Sequence, residues 1–208
     1  MNEAASCRRA ALELGAVMLT GALHLLFEEV LHAKGPFIAL ALVGWSAYLG
    51  LALRRHRGQL AQWGLRLDGL ARDSRWPGLV LVCGAGALVA VGACRGTLRL
   101  SWHMAPLLVL YPIWGLAQQF LVQAMVARNL RLWIASPVVV TLIAAALFGA
   151  SHWPDRFLMA ATFALALLFT PLYLRRRSLL PLGVAHGWLG VLAYYWLLGR
   201  DPWLELVG

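Results

Sequence analysis

Apolar residues in this sequence fall into blocks of nearly 20, and that block length decides what the chain can fold into. A helix rises 1.5 Å per residue and needs ~20 residues to cross ~30 Å of hydrocarbon. In lipid, only a helix or a closed barrel satisfies every backbone donor and acceptor. A barrel needs short segments of alternating polarity, and no block here alternates. The 208 residues are 61% hydrophobic and 13% charged, whereas a soluble domain is about half apolar. The expected fold is all-α: a polytopic transmembrane helical bundle of about seven spans.

The spans are drawn at residues 10–31, 36–53, 77–94, 103–127, 134–150, 157–174 and 178–198. Gly35-Pro36 separates the first two. Residues 54–76 differ. Leu60, Trp63, Leu67 and Leu70 recur at helical spacing with Arg and Asp between them, which predicts one interfacial amphipathic helix. No repeat or low-complexity tract interrupts the chain. Residues 1–208 read as a single integral membrane domain, with a motif-bearing core at about 103–198.

A net charge of +9 raises the question of a nucleic-acid partner. The basic residues answer it, because they lie in short clusters between the apolar blocks, where the positive-inside rule puts them. With the N-terminus cytoplasmic, the inside holds Arg8, Arg9, Arg54, Arg55, Arg57, Arg66, Arg72, Arg75, Arg128, Arg131 and Arg175 to Arg177. The outside holds only Lys34, Arg95, Arg99, Arg156 and Arg200. The expected topology is N-in, C-out, in a bacterial inner membrane. Arg8 and Arg9 also resemble the start of a signal peptide, but no small-residue cleavage site precedes Glu28 and Glu29, so the first span reads as uncleaved. Cys83 and Cys94 share a helix 11 positions apart, roughly 16 Å, too far for a disulfide.

Polar groups inside spans are costly in lipid and usually face a bundle interior. Four sets stand out. The fourth span carries Gln118, Gln119 and Gln123. Gln119 and Gln123 are four apart on one face, with Tyr111 and Gln118 on a neighbouring one. His152 ends the fifth span, four residues after Phe148. His186 lies in the seventh, among Gly183, Gly187 and Gly190. The first span carries His24, Glu28 and His32 at spacings of four, with Glu29 beside them. Such a stripe suits metal binding or proton relay, and equally a polar helix end. On spacing alone, the glutamines read as interhelical hydrogen bonds.

In order and spacing, the later motifs resemble the CPBP family (CAAX proteases and bacteriocin-processing enzymes). That family carries Glu-Glu-x-x-x-Arg, then Phe-x-x-x-His, then His-x-x-x-Asn or Asp, on successive membrane helices. Here Gln118-Gln119-Phe-Leu-Val-Gln123 precedes Phe148-Gly-Ala-Ser-His152 and His186-Gly-Trp-Leu-Gly190. The resemblance implies peptide hydrolysis within the membrane. The first Glu and the second-motif His would activate water, and the third-motif His and Asn would stabilise the oxyanion. Carried over, Gln118 occupies the place of the base, His152 orients or activates water, His186 donates to the oxyanion, and Gly190 has no donor to offer.

Three readings follow. The first is a diverged intramembrane peptidase whose base is Glu28, with Glu29 as its neighbour, or His152. Its partners would be membrane lipid and a hydrophobic or membrane-anchored peptide. The second is an inactive relative that binds peptide or lipid in an immunity or chaperone-like role. The third is a small proton or ion transporter using the His and Glu groups. No metal or other cofactor is assigned.

Overall fold

The computed structural model describes residues 3–55 and 58–207, and among these there is helix and no strand. Arg57, counted above on the inside, lies outside the described residues. Helix α1 (Glu3–Leu25) continues as a widened π-helical segment, Leu26–Val30, followed by α2 (Lys34–Arg55). Two short helices, α3 (Gln59–Trp63) and α4 (Leu70–Asp73), precede α5 (Arg75–Arg95). Helix α6 (Met104–Gln119) runs through a second widened segment, Phe120–Ala127, into α7 (Arg128–Leu130). Then come α8 (Pro137–Ala150), α9 (Arg156–Arg176), α10 (Leu180–Leu192) with the widened segment Ala193–Leu197, and α11 (Pro202–Val207).

Among the described residues, five helical stretches are long and apolar enough to cross a membrane: Ser6–Val30, Gly35–Arg55, Leu70–Arg95, Met104–Leu130 and Arg156–Arg176. They correspond to the first, second, third, fourth and sixth expected spans. The seventh is α10 with its widened end. The fifth is shorter than expected, because α8 has only 14 residues. Its start is fixed locally. Ser136 caps the helix by accepting from the Val139 N–H, with Pro137 in the first turn. Just before it, the Arg131 guanidinium takes the carbonyls of Ile134 and Ala135, so Ile134 stays outside the helix. Asp155 caps α9 in the same manner, accepting from the N–H groups of Phe157 and Leu158 at 3.0 and 3.1 Å.

The segment at 54–76 is not one amphipathic helix. Gly64, which ends α3, and Gly69, just before α4, adopt φ of +92° and +71°, a left-handed conformation that a continuous helix does not hold. The pattern therefore breaks into α3 and α4. Trp63 is fully buried, whereas Leu67 is 75% exposed.

The chain packs as two compact units, each built from two stretches of sequence. The first joins Met1–Leu65 and Leu121–Arg177. Here α8 packs along α9, and Val122, Val126, Val140, Ala144, Phe148 and Ala166 form a core. The second joins Arg66–Phe120 and Ser178–Gly208. Here α10 packs along α6 and, less extensively, along α5, over a core of Met104, Leu107, Val191, Tyr195 and Trp196.

Candidate functional site

In the second unit, α6 and α10 meet backbone to backbone. A Cβ on Gly115 would lie 2.4 Å from the Gly183 carbonyl oxygen, and one on Gly187 would lie 2.4 Å from that of Tyr111. No side chain fits in either place, so glycine sets the approach. That approach brings Gln119 and His186 together. Both are buried, and the Gln119 amide nitrogen lies 3.4 Å from His186 Nδ1. Gln118, one residue earlier, is half-buried. Tyr111 stands edge-on to Tyr194 at 6.3 Å. Its ring also borders Gly190, where an added Cβ would make an ordinary 3.5 Å contact.

In the first unit, His152 sits in the turn after α8, half-buried. Its Nδ1 lies 2.8 Å from the Phe148 carbonyl oxygen. A carbonyl has no proton to give, so Nδ1 carries the hydrogen and donates it. In a neutral imidazole the other nitrogen, Nε2, is then the basic one. The Phe148 ring stands edge-on to the imidazole at 5.0 Å, which fixes its plane. Gln123 is fully buried within the widened segment Phe120–Ala127.

The His24, Glu28, His32 stripe is only partly formed. His24 Nε2 and Glu28 are 3.0 Å apart, and Glu29 is exposed. The helix widens at Leu26, where the Leu31 N–H bonds to the Leu26 carbonyl at 3.1 Å, and a spacing of four no longer keeps one face. His32 falls beyond the helix, exposed and in the left-handed region at φ 51°. Among the described residues, no group of three or more His, Cys, Asp and Glu side chains is arranged to hold a metal ion.

Sequence reasoning missed two polar networks. In the first unit, Glu13 is 5% exposed. It accepts from Arg9 Nε at 2.7 Å, from Asn129 Nδ2 at 2.7 Å, and from the Tyr48 hydroxyl. Arg9 also reaches Gln59 and Tyr48, each at 3.1 Å. The signal was an acid inside an apolar run with an arginine four residues before it. In the second unit, Asp201 accepts from His103 Nδ1 at 2.8 Å and from the Tyr195 hydroxyl at 2.6 Å. Burial would raise the Asp201 carboxyl, but these bonds and the Trp203 N–H outweigh it and hold it below the usual 3.8.

Residues 99–192 match the family described as Type II CAAX prenyl endopeptidase Rce1-like. The match runs from the turn before α6 to the end of α10, so it takes in all three motif segments. No curated protein and no solved structure matches the chain. The match and the five apolar helices together make this an integral membrane protein.

Proposed function

We propose, from the premise that residues 99–192 belong to the CPBP family, that this chain is an intramembrane peptidase working without that family's carboxylate base. Its substrate is a hydrophobic or membrane-anchored peptide, and its setting is a bacterial inner membrane with the N-terminus cytoplasmic. The observation that carries the reading is the bonding of His152. With Nδ1–H held by the Phe148 carbonyl, Nε2 is the basic nitrogen, which is what a general base needs. In this reading water attacks the peptide carbonyl carbon and its proton passes to His152 Nε2. The proton then moves to the leaving nitrogen as the C–N bond breaks. The family pattern gives its third-motif histidine, His186 here, the task of donating an N–H to the carbonyl oxygen while that oxygen carries negative charge.

Gln118 and Gln119 can hold a water by hydrogen bonds but cannot take its proton. General-base catalysis is typically worth ~10²–10⁴-fold, so the enzyme is expected to be slow. Glu28, already set against His24, is the alternative base. The burial of an amide rather than a carboxylate beside His186 favours a second reading, in which the protein binds peptide or lipid without cutting.

The test uses the full chain in liposomes with a fluorogenic membrane-anchored peptide. Turnover that His152→Ala and His186→Ala each abolish supports the peptidase. Peptide binding without turnover, lost in the same variants, supports the second reading. Turnover that survives both substitutions would sink the assignment of these residues.

A further inference from the structure

We propose that the Gln119 carboxamide is a positioning residue that fixes the tautomer of His186, holding its hydrogen on Nε2. The amide nitrogen of Gln119 faces His186 Nδ1 at 3.4 Å. A carboxamide nitrogen can only donate, so Nδ1 must accept through its lone pair. A neutral imidazole with a lone pair on Nδ1 carries its hydrogen on Nε2. Both groups are buried, Gln119 completely, so water does not compete for the contact. The glycine contact of α6 with α10 leaves the pair little room to drift.

The identity of the donor matters. A carboxylate in place of the Gln119 amide could only accept, and would draw the hydrogen onto Nδ1. His186 would then present a basic Nε2, or become an imidazolium with hydrogens on both nitrogens. With glutamine, the imidazole is kept neutral and offers an N–H, and the chemistry that it recognises is an acceptor oxygen: a peptide carbonyl or the oxyanion derived from it. The catalytic meaning of this assignment rests on the peptidase reading above. The tautomer does not.

The experiment is nitrogen NMR of the full chain in detergent micelles, with 15N-labelled histidine. His186→Asn identifies the His186 resonances by their loss. The expected wild-type spectrum shows His186 Nδ1 unprotonated and Nε2 protonated. In Gln119→Leu, which removes the donor without adding charge, the two nitrogens shift towards a mixture of tautomers. In Gln119→Glu, Nδ1 becomes protonated. A wild-type Nδ1 that is already protonated overturns the proposal, as does a spectrum unchanged in Gln119→Leu. The wild-type spectrum decides even where a variant fails to fold. Under the peptidase reading, Gln119→Leu also lowers kcat by about 10²-fold at unchanged KM, as loss of an oriented oxyanion donor does. The expected spectrum with no wild-type turnover would confirm the tautomer and refute the peptidase.

Discussion

Glutamine and glutamate have nearly the same shape and opposite proton chemistry, and much of this protein's character turns on that difference. At Gln118 an amide stands where the motif that this segment resembles has an acid. At Gln119 the amide donates to a buried histidine. At Gly190 the missing side chain removes a polar group, yet the backbone leaves room for one, since a Cβ would only touch the Tyr111 ring. The double variant Gln118→Glu/Gly190→Asn is therefore expected to fold, and to raise turnover of a membrane-anchored peptide by about 10²-fold if it supplies the absent base. A steady-state rate no higher than wild type would remove Gln118 from the position of the base. The Asp201 carboxylate responds to pH instead. Its hold on His103 and Tyr195 is complete above its ordinary value of 3.8 and is lost as pH falls through its lower folded value. Amide hydrogen exchange in α11 should therefore quicken on acidification below about pH 3.8. Asp201→Asn should show that faster exchange at neutral pH.

Between elements, a network of side-chain hydrogen bonds ties helices of the first unit together. Glu13 on α1 is bonded to Tyr48 on α2 and Asn129 on α7, while Arg9 of α1 reaches Gln59 on α3. Glu13→Ala leaves Arg9 and Asn129 without their shared acceptor. The expected loss is about 3 kcal/mol, the low end for breaking a buried pair because the Arg9 side chain is 30% exposed. Chemical unfolding in detergent measures it, and a loss near zero would make the network incidental. The caps of α8 and α9 act on their own neighbours, so they lay within reach of a local reading, but the fifth span drawn from 134 ran through Ser136 and missed the first of them. The close approach at His186 was legible, since glycine is the residue that permits it. The widened segments were not. A π-helical turn depends on how a helix packs, and reading Glu28 and His32 at a period of 3.6 assumed a regular helix that the chain does not form. Glu13 had a local signal in Arg9, four residues before it, but its other partners, Tyr48 and Asn129, come from helices that no local pattern links to it.

For the whole molecule, block length alone was enough to read an all-α membrane protein. Neither the division into two packing units nor the individual roles within the motifs could be read that way. The orientation argued from arginine clusters is open to direct test. Cys94, exposed near the end of α5, is expected to face outside, and Cys7, near the start of α1, inside. A membrane-impermeant maleimide applied to intact cells should label Cys94 and spare Cys7; the reverse pattern would invert the topology. The 14 residues of α8 carry a last consequence. At 1.5 Å each they span about 21 Å of a hydrocarbon layer ~30 Å thick. A shortfall of about 9 Å is hydrophobic mismatch, which a bilayer answers by thinning around the short segment. His152 sits at the end of that helix, so thinning there would bring the membrane surface towards the imidazole proposed as base. A hydrolase buried in lipid must still obtain its water, and a dimpled membrane shortens the way in.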